Sequence, residues 1–551
     1  MKRYLFITIA ALGLAGCAEK LTDTSSPDQK GELERSYISV TLKSDDAGTR
    51  APGDPDFEYG EADERYVDNV HFFLFKDDGS AFPVNAVGGK NYLSFNVSIG
   101  GTQPGETGNP NEGPNVSDVK DKILVFDNYK GEYPTHIVAV LNWDANHIQP
   151  SYSLDNLYNT LAGIRNTAGH FVMSNSVYAD MQGKIVRANA LTIDNIGKTE
   201  EEAKAHPVEI YVERISAKVQ VEAKGDVAGK DATYDTYQTV GDVPVYAKVL
   251  KWELYNEYHH SIVLKHIYPE TWGMAGQIGF FWNDPNRFRS YWGASYTGSF
   301  PSDNMFDWAN NGLAPGSVAY CGENTRQAEK DGEGNITSDP RTKVIVKAQL
   351  VDAAGSPVEV ANWYGHNYIG EDAVRAEIAS LLESEIYYVD GTEYKGIGGA
   401  DIKAVQAVPA HMAPEGTEVE AYEVFFQLSD EGAAKEWFVY SNAEGYKSAT
   451  DEAINARLAN VQPALVYKNG MTYYFTEIKH LGLAGSASEY GVIRNHVYKV
   501  NISNVKGFGT PVYDPDVDID VPQRPKDTNS YVAAQVYILS WKVVKNDYSV
   551  E

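Results

Sequence analysis

A two-residue rhythm constrains this chain most. Tyr37-Ile38-Ser39-Val40-Thr41-Leu42-Lys43 sets Ile38, Val40 and Leu42 on one side and Ser39, Thr41 and Lys43 on the other. That alternation predicts a half-buried strand. Similar runs recur at Tyr66–Phe75, Tyr92–Ile99, Lys122–Phe126, Thr135–Asn142, Val186–Ile193 and Val208–Val221, and again around 244–255, 343–351, 421–428, 472–479 and 495–503. Gly-, Pro- and Asn-rich segments separate them, as in Lys76-Asp77-Asp78-Gly79 and residues 100–116. Helical spacing is confined to short pieces: Leu154, Leu157 and Leu161 behind Ser153; Val374, Ile378, Leu381 and Leu382; and Ile454 and Leu458 behind Thr450. Strands do not alternate with helices in a βαβ rhythm, and no short tandem repeat is present. The expectation is an all-β fold with small helical insertions.

Composition narrows the function. The 551 residues suffice for several domains. The net charge of −29 argues against a nucleic-acid partner, which needs a basic face. The 37 tyrosines and 48 glycines suit strands and turns. Of the two cysteines, Cys17 belongs to the N-terminal signal described next, so Cys321 has no intramolecular partner and reads as a buried structural thiol.

Lys2 and Arg3 precede an apolar run, Tyr4 to Gly13, too short to remain as a membrane span. The run closes on Leu14-Ala15-Gly16-Cys17, which resembles a bacterial lipobox. That resemblance implies lipidation of Cys17, cleavage before it, and an outer-membrane anchor. Ala18 to Glu34 is a polar tether ahead of the Ile38 strand. Directly behind that strand, Asp45 to Pro55 reads as an exposed loop. Its Arg50–Ala51 bond is an easy target for an arginine-specific protease.

At the other end, Tyr531 to Val544 is largely apolar. Val532, Ala534, Val536 and Ile538 fall on one face; Tyr537, Leu539, Trp541 and Val543 fall on the other. Both faces therefore call for burial. Asp514 to Asp527, rich in Asp and Pro, precedes it as a semi-extended linker. From residues alone, a core strand of its own domain and a strand offered to another molecule fit equally well.

Five stretches, in order along the chain, are similar to the fimbrillins of type V pili from anaerobic Gram-negative bacteria of the Bacteroides type. They are His170–Tyr178, Val212–Val219, Tyr320–Thr325, Tyr490–Val500 and Ile538–Val544. The likeness is greatest to the short-fimbrium major, or shaft, subunit family. It implies two transthyretin-like β-sandwich domains, export as a lipoprotein and a cut at Arg50–Ala51. It further implies polymerisation by donor-strand exchange with the C-terminus as donor. Partners would be identical subunits head to tail, anchor and tip pilins, and the protease. The location would be the outer membrane, then the surface fimbrium. The divisions expected are 1–17 signal, 18–50 tether and removable strand, 51–206 first sandwich, and 207–551 second sandwich with 514–551 as linker and donor. The charged stretch Lys198–Pro207 marks the boundary between the sandwiches.

The residues permit the same scheme. An apolar strand on a linker at a chain end is a hazard in a monomer, but it suits β-augmentation of a neighbour. Ile38, Val40 and Leu42 would fill the receiving position until removed.

Two rival roles remain. Trp272, Phe281, Trp282, Tyr291, Trp292 and Trp308 lie in the aromatic segment 272–308 and could stack on sugars in a carbohydrate-binding surface lipoprotein. A tip or accessory adhesin is the other. His259, His260 and His266 lack a further ligand at metal spacing. Asp514, Asp516, Asp518 and Asp520 lack the glycine and final glutamate of a calcium loop. No nucleophile elbow, phosphate loop or zinc helix appears, so neither cofactor nor enzymatic activity is expected.

Overall fold

The structure, a computed structural model, describes residues 33–44, 62–85, 89–99, 118–129, 131–164, 170–179, 185–267, 288–289, 293–298, 308–309, 312–334, 336–406, 422–480, 489–516, 531–539 and 544–546. Sheets dominate throughout, as the alternation predicts.

The first sheet has nine strands. They include β1 (Leu33–Ser44), β2 (Val67–Phe75), β3 (Tyr92–Ile99), β4 (Asp118–Tyr129), β5 (His136–Leu141), β6 (Met173–Asn175), β7 (Ile196–Gly197) and β8 (Val208–Arg214). The order is β7-β1-β8-β6-β5-β2-β3, with β4 also on β1 and the short Asn189–Ala190 strand on β5. β2 is covered on both faces. Phe72 and Leu74 enter one core with Ile137, Ala139 and Leu141, while Phe73 and Phe75 enter a second with Val138 and Val140. That explains the unbroken Phe72–Phe75 run, since a central strand buried on both sides need not alternate. The sheet curls so that Leu124 and Phe126 of β4 share the first core with β2, and the Asp127 N–H donates to the Val84 carbonyl at 3.1 Å.

Helix α1 (Leu154–Tyr158) starts where Ser153 caps it, its hydroxyl accepting from the Asn156 N–H, and buries Leu157 and Tyr158. The charged stretch after Lys198 forms a second helix, α2 (Glu200–Ala205), capped by Thr199, whose hydroxyl accepts from the Glu202 N–H at 3.2 Å. β8 still belongs to the first sheet; the chain changes sheets at Ile215–Ser216 and enters β9 (Ala217–Ala223).

The second unit stacks two sheets around one core. β10 (Thr233–Val240) and β11 (Val243–Tyr255) lie in one sheet with β13 (Lys343–Val351), while β9 pairs with β12 (Val318–Cys321) in the other. The shared core contains Val219, Val221, Tyr234, Ala247, Val346 and Leu350. Cys321 sits in it at 0% exposure, and burial pushes its thiol up, in keeping with a structural thiol.

Between β13 and the return of the chain to this sandwich lies an inserted unit with its own core. It holds α3 (Glu371–Leu382), α4 (Asp451–Leu458) and two sheets. Val374, Ile378, Ile454 and Leu458 are buried there as their spacing predicts, whereas Leu381 is 58% exposed. One of its sheets contains β14 (Ile386–Asp390), β15 (Glu393–Gly396), β16 (Trp437–Ser441) and β17 (Gly445–Ala449). The chain then re-enters the sandwich as β18 (Met471–Glu477), β19 (Val497–Lys506) and β20 (Thr510–Pro511). It closes with β21 (Tyr531–Leu539) and β22 (Val544–Asn546).

A buried ion pair joins the two sandwiches. Glu64, just ahead of β2, is fully buried, receives Lys218 Nζ at 2.7 Å and accepts from the Tyr320 hydroxyl at 2.5 Å. Burial alone would raise its carboxyl, but Lys218 and Arg214 hold it below the usual range. Within the second unit, Arg494 donates from Nε to Glu323 at 2.7 Å and also to the carbonyls of Ile262 and Val263.

Candidate functional site

The candidate site is the position of β1 in the first sheet. Its sequence carries β-branched and apolar residues at every second position from Ile38, which favours an extended, pleated chain. β4 runs antiparallel along one edge, with Leu33 opposite Tyr129 and Lys43 opposite Asp118. The other edge is shared. β7 pairs antiparallel with Tyr37 and Ile38, and β8 pairs parallel with Val40 to Ser44. β1 is thus an interior strand with ladder bonds on both sides. Among the described strands, β4 joins the sheet only through β1.

Ile38 and Val40 are 0% exposed and pack with Leu124, Phe126, Val208 and Ile210. The backbone of Leu42 lies opposite Ile210. The polar face departs from the half-buried expectation, because Ser39 is 2% exposed; Ser36, on the Ile38 side of the strand, is buried too at 3%. α2 packs near this strand. Burial of the polar side is therefore a feature of this site that the Ser/Thr alternation did not reveal. Ser36 meets the requirement of a buried hydroxyl by donating to Asn128 Oδ1 at 2.9 Å.

Towards its N-terminal end, β1 is tied to β4 by polar contacts. Arg35 Nε reaches Asp127 Oδ1 at 3.1 Å, both side chains being largely solvated. The Tyr133 hydroxyl donates to Glu34 Oε1 at 2.6 Å. That bond holds the Glu34 carboxyl below its ordinary range and raises the Tyr133 phenol. None of these partners is close in sequence, and no local pattern announces them.

Cys17, Arg50 and Ala51 lie outside the described residues, as do Trp541 and Val543. Val532, Ala534, Val536, Ile538 and Leu539 all fall in β21, which runs antiparallel along β19 of its own sandwich. In register, Val532 stands opposite Val505, Ala534 opposite Ile502, Val536 opposite Val500, Ile538 opposite Tyr498 and Leu539 opposite Val497. The outer edge of β21 carries β22 over Val536 to Ile538 only. The structure does not bring β1 and β21 together. They belong to different sheets.

Of the aromatic segment 272–308, most lies outside the described residues. Trp308 Nε1 donates to the Thr472 carbonyl at 3.2 Å and its ring packs on a small core. His266 Nε2 stands 2.7 Å from the Tyr158 carbonyl, and the ring is against Tyr158. No group of three metal-ligating side chains occurs among the described residues. No described helix is long and apolar enough to cross a membrane.

Fold and site together describe an all-β protein with an interior N-terminal strand and a C-terminal strand at the margin of a second sheet. Residues 465–547 match the fimbrillin C-terminal family, described as major fimbrial subunit protein type IV. The C-terminal part of the chain is thus similar to that family, in line with the resemblance seen in the sequence. No curated protein matched the chain. Among solved structures, a fimbrilin from Porphyromonas gingivalis is similar at 12% identity and a TM-score of 0.38, covering 92% of this chain and 98% of that one. The tip fimbrial protein of Porphyromonas gingivalis gives 11% and 0.32, covering 92% and 100%. A fimbrial assembly protein from Parabacteroides distasonis gives 13% and 0.29, covering 59% and 87%.

Proposed function

We propose that this chain is a structural shaft subunit of a surface fimbria and supports adhesion. It is exported as a lipoprotein through Cys17 and held at the outer membrane. An arginine-specific protease cuts Arg50–Ala51 and releases β1. The Val532–Val543 strand of another copy then takes the vacated position, and head-to-tail repetition builds the filament. Anchor and tip pilins bound its ends.

The observation that carries this reading is the double-edged pairing of β1. Its departure opens a slot between β4 on one side and β7 and β8 on the other. A slot takes a strand with bonds on both edges, whereas an ordinary sheet margin offers only one. Vacating it re-exposes Ile38 and Val40, worth about 1.5–3 kcal/mol each. It also strands buried backbone groups at about 1–3 kcal/mol apiece. A longer apolar donor recovers both.

The test is electron microscopy of three proteins: residues 51–551, residues 51–530, and the full chain carrying Arg50→Ala with protease present. Filaments should form from the first alone. Long polymers from residues 51–530 would rule out the donor, and normal fibres from Arg50→Ala would rule out the cut.

A further inference from the structure

The inserted unit presents an unusual surface. In the β14–β17 sheet, Ile386, Tyr388, Trp437 and Val439 face the unit's own core. Residues of opposite parity face outward: Tyr387, Val389, Tyr394, Phe438, Tyr440 and Tyr446. Cross-strand pairing places them side by side, Val389 opposite Tyr394, Tyr387 opposite Phe438 and Tyr440 opposite Tyr446. Tyr394 and Tyr446 stack with centroids 3.8 Å apart and planes 4° from parallel. Tyr387 meets Tyr446 edge-on at 5.0 Å, and Phe438 meets Tyr394 edge-on at 5.1 Å. Tyr394 and Tyr446 remain 42% and 41% exposed. Aromatic pairs of this kind stabilise a sheet. Stability alone does not require them on the solvent face.

The charges around this face decide what it would hold. Residues 383–396 and 431–449 contain seven carboxylates and three lysines. Each lysine is engaged: Lys395 with Asp390, Lys447 with Glu444 and Lys435 with Asp401. Arg457, on α4, is paired with Glu385. Glu436, two residues before the outward-facing Phe438, and Glu383, against Gly396 opposite Tyr387, make no ion pair among the described residues, while Asp390 and Glu393 stand opposite each other on the core-facing side. The π faces of tyrosine attract cations, and a guanidinium both stacks on a ring and pairs with a carboxylate. The same sheet already holds one such contact on its inner side, where Lys435 Nζ lies 3.8 Å from the centre of the Tyr388 ring.

We propose that the tyrosine face of the β14–β17 sheet is a binding site for an arginine-rich basic peptide segment of a partner protein. Guanidinium groups stack on the Tyr394/Tyr446 cluster, and Glu383 and Glu436 supply the complementary charge. This site is independent of the polymerisation scheme.

Binding of fluorescent hexa-arginine to the full chain, read by anisotropy, tests it. The Tyr394→Leu/Tyr446→Leu variant keeps apolar area but loses the rings, and its affinity should fall about ten-fold. Tyr446→Phe keeps the ring and should stay within about two-fold. Glu383→Gln/Glu436→Gln leaves the rings in place and should weaken binding about three-fold at low salt. Circular dichroism verifies that each variant is folded, and the charge variant carries the test if the leucine variant is not. Undiminished binding by either the leucine or the charge variant would overturn the proposal, since diffuse attraction to an acidic chain would then suffice. So would ring-dependent binding of a neutral hexasaccharide in place of hexa-arginine.

Discussion

The two terminal strands make opposite bargains with their sheets. β1 lies inside a sheet, gripped along one edge by β4 and along the other by β7 and β8. β21 leans on β19 alone for most of its length, its outer edge covered by three residues of β22. Removing β1 leaves two unsatisfied edges facing one another. Removing β21 leaves one. A strand with a single full ladder is the easier of the two to release, and a two-edged vacancy is the stronger acceptor. In the proposed exchange this asymmetry would set the direction, with the C-terminal strand moving and the N-terminal position receiving.

The largest expected effect comes from a charge placed in the slot. Val40→Asp in the uncut chain buries a carboxylate among Leu124, Val208 and Ile210. It should destabilise the first sandwich by more than about 3 kcal/mol in a denaturant titration. The same substitution should leave filament yield from processed protein unchanged, because the residue has departed by then. A loss of filaments from processed Val40→Asp would break the comparison. Val536→Asp should do the reverse, abolishing filaments at the donor end.

Next in size is the joint between the sandwiches. Glu64→Gln leaves Lys218 buried beside a neutral amide, with about 3–5 kcal/mol lost in thermal or chemical unfolding. Unlike Val40→Asp, it should weaken cut and uncut chains alike, since Glu64 lies beyond the cut. An effect confined to the uncut chain would mean that this pair secures β1 and not the joint.

The smallest effects belong to the solvated contacts of β1. Arg35→Ala should cost under about 1 kcal/mol, because the pair with Asp127 is exposed and screened by salt. Glu34 contributes in the carboxylate direction. Its folded carboxyl lies below the usual value through the Tyr133 bond, so its support is present above the unfolded range and fades as pH falls through the folded one. Mild acid should therefore loosen the N-terminal end of β1, read as faster amide exchange at Arg35 and Ser36, and Tyr133→Phe should remove that pH dependence.

Period-two alternation was enough to identify β1 as a strand and to choose Ile38 and Val40 as its buried side, because every second side chain of an extended chain falls on one face. Helical spacing likewise found α3 and α4, although Leu381 turned outward where the helix ends near solvent. The apolar run from Tyr531 also predicted a strand, and β21 occupies Tyr531–Leu539. What no local pattern carried was the choice of neighbours. Arg35 and Asp127 are 92 residues apart, and β8, which parallels β1, begins at Val208. The charged stretch after Lys198 reads by composition as a boundary, yet it becomes α2 near β1, and Ser39 is sealed from water. Strand pairing is made between segments distant in sequence, where backbone groups of any residue type can bond equally well. Sequence therefore dictated which segments are strands and which face is apolar. Only the packed structure decided that β1 lies between two edges.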